Sequence, residues 1–304
     1  MNHNSSIKFK FSVAGLYSKY TILEDFIILL QQHPEWKREE SEFDSIYGSF
    51  PHIMLNGGRF VSGNCSFSII EKIIRFFTDK KIAIKYTFSN LLATEEYLQD
   101  FRTNFVLKIA HRPENGIITD NPIIEKYVRK NYPQYKIIAS CTTLNHNLDY
   151  IKNRIQEVDL FTLQPELNKN YDLINKINCP EKLQLLVSET CIPYCPLREK
   201  HYNIISKAAL LDIRNVPDFK CLYEREGKNF YDDENPLVCK FSDLLEIYKN
   251  TGIIHFKLTG REKTGEYISI YIDILSEYFI KEKHKGDFYR TIYKNFCKTI
   301  YKKY

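Results

Sequence analysis

The stretch 136-KIIASCTTLNHNLDYIKNRIQEVDLFTLQPELNKNYDLINKINCPEKLQLLVS-188 repeats one local pattern. Three short apolar runs have the length and composition of buried strands: 136–140, 159–163 and 183–188. Two segments with apolar residues at helical spacing lie between them, at 147–156 and 169–177. Strands that alternate with single helices are typical of a parallel sheet, because each helix carries the chain back to the start of the next strand.

The same alternation extends toward both ends of the chain. Four upstream runs are predicted strands: 7–13, 45–48, 82–87 and 115–119. Helical patterns follow them at 21–32, 67–78, 94–109 and 123–131, the last of which has Asp120 or Asn121 as its expected cap. Downstream, the pattern predicts a helix at 241–248, an eighth strand at 253–258 and a helix from about 265 to 281.

Eight short strands that alternate with helices over roughly 250 residues indicate a (β/α)8 TIM-like barrel. An open doubly wound sheet is the alternative, but no glycine-rich phosphate loop follows the first strand. We therefore predict a single α/β barrel domain over residues 1–281. The basic, tyrosine-rich segment 282–304 is predicted to be a helical tail that packs its aromatic side chains on the barrel; contact with RNA is the alternative.

Bulk composition excludes several classes of protein. With 304 residues, 43% of them hydrophobic, the chain can bury a large core, and its net charge of +5 does not by itself imply nucleic-acid binding. The N-terminus lacks the basic and apolar regions of a secretory signal, and no apolar run approaches the roughly 20 residues that span a bilayer. We expect a cytoplasmic protein without membrane contact, a compartment in which structural disulfides are uncommon.

A cysteine-containing segment, 188-SETCIPYCPLREKHY-202, follows the seventh predicted strand. Three residues separate Cys191 from Cys195, 25 separate Cys195 from Cys221, and 17 separate Cys221 from Cys239. Chemistry in a (β/α)8 barrel lies where strand C-terminal ends meet the following loops. Four thiolates there suit a tetrahedral zinc ion or a 4Fe-4S cluster.

The cysteine spacing favours a cluster in the segment 189–240. Zinc ribbons and fingers use two closely spaced pairs of ligands, whereas only one close pair exists here. Zinc and unligated core thiols remain alternatives. A radical-SAM motif is excluded because Arg198 stands where its third cysteine would be. The four other cysteines, at 65, 141, 179 and 297, are expected to be small buried hydrophobic residues, although Cys65 or Cys141 could replace one of the four ligands.

Two groups of basic residues are candidates for anion binding. Arg198 and His201 could hold an anionic ligand or tune the cluster through hydrogen bonds, or they could belong to a solvated helix start. The eighth strand places Lys257 and Thr259 on one face, and the glycine at 260 lets Arg261 turn over the barrel mouth. An ion pair with a neighbouring carboxylate is the alternative for Arg261.

Other residues at strand ends are weaker candidates: Asn56-Gly57-Gly58-Arg59, Asn90, Cys141, Gln164 and Glu166. Each is more often structural than catalytic. No Gly-x-Ser-x-Gly elbow, His-Glu-x-x-His pair or phosphate loop is present in the sequence.

The motif Lys257-Leu258-Thr259-Gly260-Arg261, with Lys263 and Tyr267 beyond it, resembles one found in the peptidase U32 family. The order of the four cysteines and the early Tyr47-Gly48 are also similar to that family. The resemblance implies a TIM-like barrel whose 4Fe-4S cluster is held by Cys191, Cys195, Cys221 and Cys239. Several members of the family take part in oxygen-independent hydroxylation of ubiquinone precursors or RNA bases, and others were labelled proteases. The chain departs from the family in its Cys191-to-Cys195 spacing and in the block 196–202.

The sequence and the resemblance together predict an iron–sulfur enzyme that hydroxylates or otherwise oxidises or reduces an anionic small molecule or an RNA base. Arg261, His201, Arg198 and Lys257 are the residues expected to bind or polarise that substrate. A peptidase or other hydrolase is one alternative. A non-catalytic subunit that carries the cluster and works with a heterodimeric partner of the same family is the other.

Overall fold

The computed structural model describes residues 7–189, 191–213, 235–260 and 266–301. Eight parallel strands close into one barrel in sequence order, and β1 pairs with both β2 and β8. The strands are β1 (Phe9–Ala14), β2 (Ser41–Gly48), β3 (Ala83–Thr87), β4 (Gly116–Ile118), β5 (Lys136–Ala139), β6 (Leu160–Leu163), β7 (Leu183–Leu186) and β8 (His255–Leu258). The predicted (β/α)8 barrel is confirmed, and the open sheet was the wrong alternative.

Helices connect the strands and surround the barrel. In the described ranges they are α1 (Tyr20–Gln32), α2 (Phe67–Asp79), α3 (Phe101–Ile109), α4 (Pro122–Asn131), α5 (Leu148–Glu157), α6 (Tyr171–Ile177), α7 (Arg198–Leu210), α8 (Phe241–Thr251), α9 (Glu266–Phe279) and α10 (Lys285–Tyr301). The segment 189–240 was expected to be a loop, with a helix start at Arg198 and His201 only as an alternative. The helix α7 was not itself predicted, because its first turn is mostly charged and its apolar periodicity is weak. None of the described helices is both long and apolar enough to cross a membrane.

Local sequence signals explain where several helices begin and end. The side chain of Asn121 accepts the backbone N–H of Ile123 at 2.9 Å, and a proline occupies the first position of α4. Asn170 caps α6 in the same way through the N–H of Leu173, so that helix begins two residues later than predicted. Gly252 ends α8 with a φ of 76°, in the left-handed region that glycine adopts without strain.

Aromatic side chains fill the layer between the barrel and its helices. The ring of Phe9 on β1 lies 5.9 Å from that of Phe241 on α8 in an edge-to-face arrangement. Elsewhere in this layer, Phe288 of α10 is fully buried and its ring lies 5.9 Å from that of Phe26 on α1. The tail helix α10 therefore packs against the helical layer through an aromatic contact.

The barrel interior is a packed core with a polar side and an apolar side. Lys85 donates to the hydroxyl of Ser12 at 2.9 Å and pairs with Asp44 at 3.0 Å, and Gln184 donates to the same hydroxyl at 3.1 Å. These side chains come from β1, β2, β3 and β7, so they meet on the barrel axis. The apolar side consists of Ile118, Ile138 and Leu160, with Tyr47 packed against them. Beyond this filled interior, a pocket opens at the mouth of the barrel.

His255, at the start of β8, gives the fold a pH dependence. Burial lowers the pKa of its imidazole from 6.5 to about 4; Lys85, Lys10 and Lys136 lower it further, and Asp44 opposes them. Because the folded protein binds this proton less readily than the unfolded chain does, the free energy of unfolding is highest above pH 6.5 and falls as the pH falls from 6.5 to 4. Over this pH range we expect His255→Gln to lose about 2 kcal/mol less unfolding free energy than the wild-type protein. The figure is below what the full pKa shift would give, because the ring is partly exposed.

Urea unfolding at several pH values across this window measures the effect. If the unfolding free energy of His255→Gln fell with pH as steeply as that of the wild-type protein, His255 would not be the source of the pH dependence.

Candidate functional site

A pocket opens at the mouth of the barrel, where the C-terminal ends of the strands meet their loops. Residues at or just beyond the C-terminal ends of seven of the eight strands line it, and about 710 Å³ of empty space lies within and in front of it, part of it open solvent. The lining side chains that can take part in chemistry are Tyr47, Arg59, Cys141, Glu189, Tyr202 and Lys257.

Lys257 is the cation at the base of this pocket. Its side chain is buried, and Nζ lies 4.4 Å from the ring centroid of Tyr47, whose hydroxyl donates to the carbonyl of Leu258 at 2.9 Å. Nζ forms no hydrogen bond or ion pair with any residue in the described ranges. Burial lowers the pKa of this ammonium, and the nearby charges of Lys85 and Arg59 lower it further. An unpaired ammonium in a pocket is suited to receive an anion.

Arg59, the second cation of the pocket, already has a carboxylate partner. Its Nη2 lies 3.4 Å from each carboxylate oxygen of Glu189, which also accepts the backbone N–H of Cys191 at 3.0 Å. Arg59 reaches this position because the chain passes close to the backbone of Ser89 at Gly57, where a Cβ atom would lie only 2.4 Å from the Ser89 carbonyl oxygen. The Arg59–Glu189 pair leaves Lys257 as the pocket cation without a carboxylate partner among the described residues.

Two neutral proton donors complete the pocket. Tyr202 reaches it from α7 and is buried, and burial raises the pKa of its hydroxyl. Burial also raises the pKa of the Cys141 thiol. The backbone of Cys141 is held by Gln164, whose amide nitrogen donates to its carbonyl oxygen at 2.7 Å. Both groups stay protonated at neutral pH and can donate a proton to a bound substrate.

Several of these residues were found from the sequence and others were missed. The rule that chemistry follows strand ends selected Lys257, Cys141 and the segment that ends at Arg59, and all of them line the pocket. Glu189 directly follows the seventh predicted strand, so the same rule would have found it. Tyr202 lies on a helix that was not predicted and offered no comparable signal.

Arg198, a predicted anion-binding residue, is used to anchor a loop. Its Nη2 lies 2.7 Å from Oε1 of Glu166 and donates to the carbonyl of Ile192 at 2.9 Å. Glu166 also accepts the backbone N–H of Tyr194 at 2.9 Å, so the pair joins the loop after β6 to the loop after β7. Neither Arg198 nor His201 is among the described residues that line the mouth pocket; His201 stacks beside Tyr202 instead.

Two of the predicted site residues, Cys221 and Arg261, lie outside the described residues. Cys191 is buried beside Glu189, and the carbonyl of Cys195 accepts the N–H of Arg198 at 3.1 Å. The backbone N–H of Cys239 donates to the carbonyl of Val187, just beyond β7, at 2.8 Å. These backbone hydrogen bonds hold the two cysteine-bearing segments next to each other.

The thiols themselves lie in different surroundings. Cys239 is fully buried in the hydrophobic core, and burial raises the pKa of its thiol to about 11, with Lys169 and Asp243 as the nearby charged groups. The charges near Cys191 are instead those of Arg59 and Arg198. Within the described part of the chain, no group of three or more His, Cys, Asp or Glu side chains could hold a metal ion. The described thiols therefore do not form a metal site by themselves, and the fourth predicted ligand, Cys221, lies outside the described residues.

A second polar group lies in a surface groove next to the mouth pocket. His52 Nδ1 is 2.5 Å from a carboxylate oxygen of Asp212, and His52 Nε2 is 3.1 Å from the side-chain oxygen of Asn64. Cys65 lines the same groove, but burial raises the pKa of its thiol to about 11. A thiol with this pKa is a poor nucleophile at neutral pH.

Comparison of the sequence with known proteins places the chain near one named relative. No protein-family model matches it. It is 32% identical over 132 residues to "Uncharacterized protease MJ1657" of Methanocaldococcus jannaschii, a match that covers 41% of this chain and 39% of the relative. The chain therefore spans about two fifths of the length of this curated relative.

Comparison of structures covers a larger share of both chains. The solved structure of the U32 peptidase Mk0906 matches with a TM-score of 0.52 and 16% sequence identity, over 88% of this chain and 96% of that one. At this identity the structural likeness shows a shared fold. The sequence relative is therefore similar to part of this chain, and the solved U32 peptidase shares its barrel fold.

Proposed function

We propose that this chain is an enzyme that acts on a small anionic substrate bound at the mouth of the barrel. The observation that carries the proposal is the buried ammonium of Lys257, which points into the pocket without a carboxylate partner in the described residues. Burial of an unpaired charge costs several kcal/mol in free energy. Residues held in such an unfavourable state cluster at functional sites, where a ligand completes the pair.

The rest of the pocket limits the shape of that substrate. Ile118, Leu186 and the ring of Tyr47 form an apolar side next to Lys257, and the Arg59–Glu189 pair forms a polar side. The arrangement fits a molecule with a carboxylate or phosphate beside an aliphatic or planar body. Small organic acids and a nucleobase that carries its phosphate both have this form, so the pocket is compatible with the predicted small-molecule or RNA-base substrate.

Matched acids and amides test the importance of the negative charge. Calorimetric titration at pH 7 should show that acetate and benzoate bind at least about tenfold more tightly than acetamide and benzamide, because a charge-assisted hydrogen bond is about twice as strong as a neutral one. Inorganic phosphate serves as a third anionic probe. Equal affinities for acid and amide, or no saturable binding by any of the anions, would contradict an anionic substrate.

The finer chemistry that we propose is a redox step, such as oxygen-independent hydroxylation, supported by a 4Fe-4S cluster on Cys191, Cys195, Cys221 and Cys239. The resemblance of the segment 257–261 to the U32 family supports it. So does the approach of the two cysteine-bearing segments, where the side-chain amide of Asn235 lies 3.4 Å from the carbonyl of Glu189. A bound cluster would supply electrons, while the residues of the pocket would bind and orient the substrate and donate protons to it.

Iron analysis of protein purified without oxygen tests the cluster. We expect about four iron and four sulfide ions per chain, and loss of both in Cys221→Ala, whose thiol is one of the four predicted ligands. The exposed Cys297 on α10 provides the control, and Cys297→Ala should retain all the iron. Iron that persists in single alanine variants of all four predicted ligands, or zinc in place of iron in the wild-type protein, would exclude this assignment.

Peptide hydrolysis is the second candidate function. The word protease in the name of the sequence relative favours it, as does the groove that brings His52, Asp212 and Cys65 together. The raised pKa of the Cys65 thiol weighs against it. The purified protein is tested for casein cleavage. Cleavage that is lost in Cys65→Ser but retained in Lys257→Met would show that this groove, and not the mouth pocket, is the catalytic site. A requirement for a second U32-type subunit in any turnover assay would instead favour the role of a partner subunit.

A further inference from the structure

The position of Lys257 resembles that of a nucleophile more than that of an ordinary surface cation. β8 is parallel to both neighbours, and its alternation directs Phe256 and Leu258 outward into the core while Lys257 faces the axis. The face of Tyr47 lies along one side of the ammonium, and the empty pocket lies above it. A reagent that entered the pocket would therefore meet Nζ directly.

The surroundings of Lys257 give it a larger fraction of neutral amine, the reactive form, than an exposed lysine has. Burial is the largest cause of its lowered pKa, and the positive charges of Lys85 and Arg59 act in the same direction. Cys141 and Glu189 oppose them, but neither forms an ion pair with Nζ. Desolvated lysines next to other cations are the ones that enzymes use to form imines with carbonyl compounds.

We propose that Lys257 forms an imine with the carbonyl group of a small oxo acid bound in the mouth pocket. This inference rests on the proposed function, since it takes the anionic substrate of that pocket and assigns its reactive group. The amine lone pair attacks the carbonyl carbon and gives a carbinolamine. That species loses its hydroxyl as water after proton donation, so one amine and one carbonyl become one imine and one water, without an oxidant or a reductant.

The pocket contains the groups that this step requires. Tyr202 and Cys141 are protonated donors that line the same cavity and can deliver the proton that leaves with water. The carboxylate of an oxo acid stands next to its carbonyl carbon, so it would lie beside the protonated imine and provide the anion that Lys257 lacks among the described residues. Both requirements, a proton donor and a counter-ion, are therefore met once the substrate is bound.

Lys85 shows why burial alone does not make a nucleophile. It is also buried, yet it pairs with Asp44 at 3.0 Å and donates to Ser12 at 2.9 Å inside the filled barrel. Its amine is engaged and does not line the mouth pocket. Lys85 therefore serves as an internal reference that should remain unmodified when Lys257 reacts.

Borohydride trapping tests the imine. The full-length protein is incubated with pyruvate or phenylglyoxylate, reduced with sodium borohydride, digested and analysed by mass spectrometry. We expect the reduced adduct on Lys257 to be at least about ten times more abundant than on any other lysine, since a desolvated amine reacts as the free base at neutral pH. Lys257→Arg should lose this adduct, while Lys207→Arg, at an exposed position on α7, should keep it.

Hydroxy acids separate failure of this inference from failure of the proposed function. Lactate and mandelate match the oxo acids in shape and charge but have no carbonyl group to react, so they should bind and protect Lys257 from trapping. If they bind in the wild-type protein and neither oxo acid modifies Lys257, the imine is excluded and the anionic pocket stands. If neither the hydroxy acids nor the oxo acids bind, both proposals fail. Adducts spread evenly over surface lysines would also overturn the imine.

Discussion

Replacement of Arg198 by methionine should lower the free energy of unfolding by about 3–5 kcal/mol, the range measured when one partner of a buried ion pair is removed. The side chains of Arg198 and Glu166 are 6% and 1% exposed, and their charged atoms lie 2.7 Å apart. Without the guanidinium, the Glu166 carboxylate would stay buried beside the backbone N–H of Tyr194 and the ring of His146, whose Nε2 lies 3.8 Å from Oε2. The loop after β7 would also lose the bond from Arg198 to the carbonyl of Ile192.

Urea unfolding at pH 7 measures this loss, and two further variants identify its cause. Adding Glu166→Gln to Arg198→Met should restore much of the stability, because a neutral amide leaves no buried charge. The exposed pair of Arg290 and Asp287 on α10 provides the control, and Arg290→Met should change the unfolding free energy by no more than about 0.5 kcal/mol. An Arg198→Met variant as stable as the wild-type protein would mean that the loop does not depend on this pair.

Replacement of Lys257 by methionine should have two effects of opposite sign. At pH 7 we expect the variant to be more stable by about 1–2 kcal/mol, because methionine fills a similar volume without the cost of burying an unpaired charge. The same change should weaken binding of benzoate by about 100-fold, since it removes the charge-assisted hydrogen bond that a buried ammonium would donate. Gain of stability with loss of binding is typical of a residue that is retained for function.

The dependence of this stability difference on pH follows from the lowered pKa of Lys257. The wild-type protein carries the cost of the buried charge at pH values below the folded-state pKa. That cost disappears as the pH rises toward 10.5, the ordinary value at which the unfolded lysine also becomes neutral. The gap between Lys257→Met and the wild-type protein should therefore be larger at pH 7 than at pH 10 when both are unfolded with urea.

Lys207→Met, an exposed lysine on α7, is the matched control and should change neither the unfolding free energy nor the affinity for benzoate. Destabilisation by Lys257→Met together with unchanged binding would mean that Lys257 serves the fold, and that the mouth pocket does not recognise anions through it.

The barrel was predictable because its signals are local. Apolar runs of strand length, helical periodicity between them, and caps such as Asn121 and Gly252 are properties of neighbouring residues, and most of these elements begin in the structure within about two residues of their predicted places. The helix predicted over 94–109 is an exception, since α3 begins only at Phe101. Prediction failed where the local pattern was weak. The strand β2 (Ser41–Gly48) begins four residues earlier than expected, since its first half interleaves charged residues with only one apolar side chain. The helix α7 was missed for a similar reason.

For the candidate site, sequence order together with the rule for barrels identified Lys257, Cys141 and Arg59 as residues at the mouth. Sequence order could not show whether each charged side chain is paired with a carboxylate. Arg198 and Lys257 are both basic residues near strand ends, yet one is neutralised by Glu166, 32 positions earlier in the chain, and the other meets no carboxylate in the described residues. Periodicity and caps depend on residues that are adjacent in sequence, so the sequence by itself determined the barrel. Burial and charge pairing depend on distances between residues that only folding brings together, so the tertiary structure alone decided which cation is free to bind.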